Sequence, residues 1–241
     1  MAAKDDVQRR TLELLWKGAR RPARGPQQGL TVERIVAAAI DLVEAEGLTA
    51  LSMRRVAQEL GVGPASLYTY LPGKAELEAL MLDAVQLGET LPHEWPGDWR
   101  AKTEAWARSD WEGFRRHPWL LRLVATTPFP GPNTLRWLDS ALRVLEDTGL
   151  TEPEKMAVVE SVDSYVRGQA RLSLEEHAPS PTEASERDAL LAELVDFTAY
   201  PALTRTIQAG VAPYAADRFE FGLQRLLDGV ATLITTRTPP P

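Results

Sequence analysis

Cysteine is absent from the 241-residue chain, which excludes disulfides and thiolate metal sites. That absence fits a reducing compartment. Histidine is scarce: His93, His117 and His177 stand far apart, without metal-ligand spacing, so no metal and no cofactor is expected. His117 precedes Pro118 at a helix junction and reads as structural. Long apolar runs are lacking too. Nothing approaches the roughly 18–20 apolar residues of a membrane span. No signal-peptide run follows Lys4, Arg9 and Arg10. A cytoplasmic protein with no membrane partner is expected. Sustained period-two alternation, the mark of strands, is missing. So are Gly-x-Ser-x-Gly, His-Glu-x-x-His and a phosphate-cradling loop, which leaves an enzyme no recognisable catalytic motif.

What is present is ordinary globular composition, 44% hydrophobic and 25% charged, with enough apolar mass for a core. The formal net charge of −7 argues by itself against a nucleic-acid binder. Its distribution argues otherwise. Before Thr31 the chain carries Lys4, Arg9, Arg10, Lys17, Arg20, Arg21 and Arg24 against Asp5, Asp6 and Glu13. A basic arm on an acidic body is compatible with DNA, because the local field at the interface matters more than the total.

Helical periodicity dominates, and an all-α fold is expected. Residues 1–29 read as a flexible basic arm with a short helix over Asp5–Lys17; Pro22, Gly25, Pro26 and Gly29 make the rest a linker. A helix over Val32–Glu46 has Val32, Ile35, Val36, Ala39, Ile40 and Val43 on one face. Ser52 is a good N-cap for a helix over Met53–Leu60. Gly61 supplies a left-handed close, and Pro64 suits the first position of a third, short helix ending near Leu71. A fourth helix runs from Lys74 to Leu87. Pro92, Pro96 and Gly97 suggest a domain boundary, giving residues 30–90 and 91–241. Further helices are expected over 100–117, 118–126, 133–148, 153–176, 186–199, 201–208 and 214–236.

The stretch from Ser52 to Lys74 is a helix-turn-helix. Val56, Ala57, Leu60, Val62 and Leu67 face inward and leave Pro64, Ala65, Ser66, Thr69 and Tyr70 free for a major groove. Gly63 to Tyr70 contains no Lys or Arg, so guanine readout by a bidentate arginine is open only to Arg54 on the neighbouring helix. Ser66 can hydrogen-bond a base edge, while Ala65 and the Thr69 methyl can touch a thymine methyl. Arg20, Arg21 and Arg24 either enter a minor groove or form a solvated linker.

Leu67-Tyr68-x-Tyr70-Leu71-x-x-Lys74, preceded by Leu60-Gly61-Val62, resembles the signature of the TetR (tetracycline-repressor-like) family of bacterial repressors. That family usually has His where Tyr70 stands. The resemblance implies a three-helix helix-turn-helix DNA-binding domain followed by a larger helical ligand-binding and dimerisation domain. It further implies phosphate or base contacts for Arg54, Tyr68, Tyr70 and Lys74. Arg116-His-Pro-Trp-Leu, Gly131-Pro-Asn-Thr-Leu-Arg-Trp-Leu and the segment from Arg218 to Gly229 resemble the C-terminal domain of the subgroup that includes the tetracycline repressor. The partners implied are pseudo-palindromic double-stranded operator DNA, a small-molecule effector and a second copy of the chain. The histidine-assisted pattern of magnesium–tetracycline binding is not visible.

Six of the seven tryptophans fall between Trp95 and Trp137. Most are expected to fill the core. Trp111, Phe114 and Trp137 are candidates for an apolar effector cavity. Asp163 shares a helical face with Val159, Val162 and Val166, and Arg167 one turn on is its natural partner, either as a surface ion pair or in the effector site. On the last helix Gly222 and Gly229 lie one heptad apart, which points to close backbone contact. The family implies a four-helix subunit interface there, for which Val159, Val166, Gly222, Leu226, Gly229 and Leu233 are candidates; packing within one chain is the alternative. The competing functions are a helical enzyme and a non-regulatory DNA-binding or adaptor protein.

Overall fold

The structure, a computed structural model, describes residues 2–17, 30–85, 90–126, 130–175, 186, 189–191, 193–210 and 218–237. Arg20, Arg21 and Arg24 lie outside them. The described residues contain helices and no strand, as the periodicity predicts. Packing divides the chain into two units, Met1–Val159 and Glu160–Pro241.

The first unit starts with α1, Ala2–Lys17, which is longer than expected and is not a free arm. It packs on α5 (Lys74–Val85), burying Leu15 and Thr11; the Thr11 hydroxyl lies 3.5 Å from Glu76 Oε1. Helix α2, Val32–Glu46, starts where Thr31 accepts from the Arg34 amide and stops at Gly47, whose φ of 81° few side chains tolerate. Its buried face is Ile35, Val36, Ala39, Leu42 and Val43; Val32 and Ile40 lie on its half-buried flank.

Helix α5 lies among α1, α2, α7 (Trp119–Thr126) and α8 (Pro132–Arg143), so its surface is covered on several sides. That surrounding explains why Glu76, Ala79 and Asp83 are buried along with Leu77, Met81 and Leu82, while Ala84 is exposed. Helix α6, Trp99–Arg116, is capped by Asp98, which accepts from the Ala101 amide at 2.9 Å. The helix expected over 133–148 is shorter: α8 ends at Arg143, and a turn of 3-10 helix, Glu146–Thr148, leads to Gly149.

Helix α9, Glu152–Glu175, spans both units. In the second unit it buries Val162, Val166 and Ala170. Tyr165 stacks on Phe219 at 5.8 Å and donates its hydroxyl to the Phe219 carbonyl at 2.8 Å. Helix α10, Pro201–Gln208, buries none of its residues, and α11, Phe219–Arg237, buries Phe219, Leu223, Leu227 and Val230.

Candidate nucleic-acid interface

Two short helices form the candidate interface. In α3, Met53–Glu59, the Ser52 hydroxyl accepts from the Arg55 amide at 3.2 Å, and Met53, Val56 and Ala57 are buried. Gly61 follows at φ 66°, and the Val62 amide donates to the Ala57 carbonyl, which closes the turn. Helix α4, Pro64–Tyr68, opens on its proline and is anchored by Leu67, which is wholly buried. Leu71 is buried beyond it, where the chain turns toward α5.

With the apolar anchors inward, the remaining side chains face out. Arg54, Pro64, Ala65, Tyr68, Thr69 and Lys74 are exposed, and Ser66 and Tyr70 are half-buried. Tyr68 exposes 54% of its surface, far more than a core aromatic would. The Thr69 hydroxyl donates to the Ser66 carbonyl at 2.7 Å. Two adjacent arginines differ sharply. Arg55 is held by Glu46 at 2.5 Å and Glu59 at 2.8 Å, and its hydrogen bond and charge pairing with Glu46 raise its pKa further. Arg54, on the exposed side, remains available to an external anion. Lys74 lies 3.5 Å from Glu78 at the N-terminal end of α5. A cation there is disfavoured by the helix dipole, so α5 gains no stability from its position.

Some aromatic residues of the first unit touch one another or a basic side chain. Trp137 on α8 meets Trp106 on α6 edge-on, with centroids 5.2 Å apart. Trp111 lies under the Arg115 guanidinium at 4.8 Å, and Phe114 is buried. Trp111, Phe114 and Trp137 belong to the first unit, Asp163 and Arg167 to the second. The expected Asp163–Arg167 pair forms, with Arg167 Nε donating at 2.9 Å. Burial raises the Asp163 pKa against the opposing pull of Arg167.

The candidate interface residues of α9 and α11 separate into two sets. Val159 and Val166 are already buried within the single chain, and Gly222 faces Tyr165, whose hydroxyl a Cβ at this position would strike. These three thus have packing partners within the single chain. Gly229 is exposed, and a Cβ there would meet nothing within 4 Å; Leu226 and Leu233 are half-buried.

Two contacts were not anticipated from the sequence. Asp83 near the end of α5 bonds the first turn of α8, and Glu44 on α2 accepts from both His117 and Trp119. Pattern reading takes acids on helices as solvated and has no signal for partners 50 to 75 positions away.

A recognition helix with a polar, exposed face, carried on a helical body, defines a helix-turn-helix DNA-binding regulator. Residues 35–79 match the family model "Bacterial regulatory proteins, tetR family", and residues 91–234 match "Tetracyclin repressor-like, C-terminal domain". The chain belongs to the tetR family and is a DNA-binding transcriptional regulator. It is 42% identical to HTH-type transcriptional repressor DrrR1 of Streptomyces coeruleorubidus over 240 residues, covering 95% of this chain and 87% of that protein. Among solved structures, apo ActR from Streptomyces coelicolor superposes with a TM-score of 0.75 at 29% identity, over 88% of this chain and all of that one. ActR in complex with actinorhodin gives 0.73 at 29% identity, over 85% of this chain and 97% of that one.

Proposed function

We propose that the chain is a homodimeric repressor of a pseudo-palindromic operator, released when a small apolar or aromatic effector enters the Trp-rich body. The observation that carries the DNA reading is the division of residues 53–74 into a buried apolar side and an outer side, on which Arg54, Tyr68, Thr69 and Lys74 are exposed and Ser66 and Tyr70 half-buried. Lys74 and Arg54 hold phosphate or a base edge, and Ser66 and Tyr70 read base edges. Arg20, Arg21 and Arg24 of the arm follow the adjacent backbone or minor groove.

An effector reading is supported by the similarity to ActR, solved with actinorhodin, and by the aromatic side chains around Trp106 and Trp137. Dimerisation through the side of α11 bearing Leu226, Gly229 and Leu233 is supported by the open space at Gly229. Such a dimer would present two recognition helices to an operator whose half-sites lie about one DNA turn apart, roughly 34–36 Å. An enzymatic role gains nothing from the Ser–His contact between Ser140 Oγ and His93 Nδ1 at 2.6 Å, because Ser140 is 1% exposed and meets no substrate.

The test is binding of the purified chain to duplex DNA from upstream of its own gene, with actinorhodin as an aromatic probe. The expected outcome is preferential binding over a scrambled duplex, weakened about 5- to 150-fold by the probe. The coupling must be reciprocal, so a tryptophan-fluorescence titration should show the probe weakened by DNA to the same extent. Equal binding to both duplexes would favour a non-regulatory DNA-binding protein, and binding to neither an adaptor.

A further inference from the structure

Two acids sit where local helix rules disfavour them. Asp83 lies in the last turns of α5 and Glu44 in the last turn of α2, both at C-terminal ends where the helix dipole repels negative charge. Neither can be there to stabilise its own helix, and each has its partners elsewhere.

Asp83 is 7% exposed. Its Oδ1 accepts from the backbone amides of Asn133 at 3.1 Å and Thr134 at 3.0 Å, and from the Thr134 hydroxyl at 3.2 Å. Asn133 Nδ2 returns a bond to the Asp83 carbonyl at 3.1 Å. Helix α8 begins at Pro132, and its own N-cap, Gly131, offers no side-chain bond. The cap of α8 is therefore supplied by α5. Gly131 leaves room for it, since a Cβ there would strike the Asp83 carboxylate. Charge-assisted bonds to orphan amides at a helix N-terminus are directional and hold the two backbones in one register. Glu44 forms a second tie: its Oε1 accepts from His117 Nδ1 at 2.7 Å and from Trp119 Nε1 at 2.6 Å, at the start of α7.

We infer that Asp83, capping α8 from α5, is the joint through which the body of this regulator and its recognition helix sense each other, with Glu44 as the second tie. This rests on the operator reading above. Helix α5 packs on α2, and α2 on α3, so the reader is carried by the two helices that end in these acids. Helix α8 carries Trp137, so a change among the body aromatics that shifts α8 must either move α5 with it or break the cap. A covalent connection alone would allow α5 to swing; the cap removes that freedom. Asp83 is thus a positioning residue and touches neither DNA nor effector.

Reciprocity supplies a test that needs no effector. Amide exchange of the full chain is followed alone and bound to the operator duplex. In the wild type, operator binding is expected to change exchange across residues 131–137 by at least about fivefold. In Asp83→Ala and in Gly131→Ala, which attack the joint from opposite sides, the change should fall below about twofold while operator binding survives. Asp83→Asn, which keeps the accepting oxygen and loses the charge, carries the test if either variant fails to fold. A merely structural role would lower thermal stability and leave the operator-induced change intact, which would overturn the inference. So would a wild type that binds operator with residues 131–137 unmoved. A wild type that binds no duplex overturns the operator reading, and the joint falls with it.

Discussion

Helices α2 to α5 and helices α9 to α11 solve the same packing problem with different completeness. In the first set most helix termini are closed locally: Thr31 and Ser52 cap, Gly47 and Gly61 stop, and Pro64 starts. Leu67, Leu71, Leu77 and Met81 are wholly buried, and the side chains left outside are small, polar or hydroxylated. The C-terminal set leaves large apolar surface in the open. Leu203 and Ile207 of α10 are 41% and 45% exposed, and Phe221 of α11 is 68% exposed. The lesson is that the reader can be understood from its own sequence, whereas the C-terminal helices carry apolar area that their own chain does not bury.

The sharpest way to break the reader is at its anchor. Leu67→Ala removes a wholly buried side chain and is expected to cost about 2–5 kcal/mol, with operator binding lost. Thermal denaturation and gel shift measure both; an unchanged melting temperature would show that the core does not depend on Leu67.

The two glycines of α11 sharpen the other half of the comparison. Gly222→Leu drives a side chain into Tyr165 and should destabilise the fold by about 1–3 kcal/mol. Gly229→Leu meets open space within the chain, so the melting transition of the monomer should be nearly unaffected while sedimentation shows loss of the dimer. If both variants remain dimeric, subunit contact through this stripe is ruled out.

Smaller effects separate phosphate from base contacts. Lys74→Ala should weaken binding to all duplexes alike and lower the log–log salt slope by about 0.9. Ser66→Ala should leave the slope unchanged and alter preference at one base pair by about 1 kcal/mol. An unchanged slope for Lys74→Ala would take that lysine out of the interface.

The smallest effect concerns Asp163. Burial raises its pKa in the folded chain, so the folded state holds this proton more tightly than the unfolded state does. Its contribution to stability is therefore fully present below the ordinary aspartate range and is lost as pH rises through the raised value. Asp163→Asn should flatten that part of the stability–pH curve, as denaturant titrations at several pH values would show. An identical curve for the variant would mean that Asp163 titrates alike in both states.

The reader was legible because its signals are local. Ser52, Gly61 and Pro64 mark ends within a single turn, and Val56, Ala57 and Leu67 fall at helical spacing. Placement of Arg54 outward and of the Asp163–Arg167 pair was legible for the same reason. What stayed hidden depends on distant residues. The docking of α1 on α5 hides Thr11 and Glu76, two polar residues that a pattern assigns to solvent. The heptad spacing of Gly222 carries no sign of Tyr165, its neighbour on another helix. Asp83 breaks a helix rule on α5 that only the amides of α8 explain.

The bond of the Thr69 hydroxyl to the Ser66 carbonyl limits what the recognition helix can offer a duplex. With that proton committed, the exposed Thr69 keeps a methyl and the lone pairs of its hydroxyl oxygen, and the exposed Ala65 offers a methyl. On the operator reading proposed above, two outer positions of the reader would therefore sense outline, with Thr69 adding an acceptor but no donor. Such a surface responds to the methyl on carbon 5 of a pyrimidine, whichever base bears it. Uracil in place of thymine would look like a gap, and 5-methylcytosine in place of cytosine would look like thymine. Part of what the proposed interface reads would thus be methyl groups, and methylation of a cytosine at these positions should alter duplex binding.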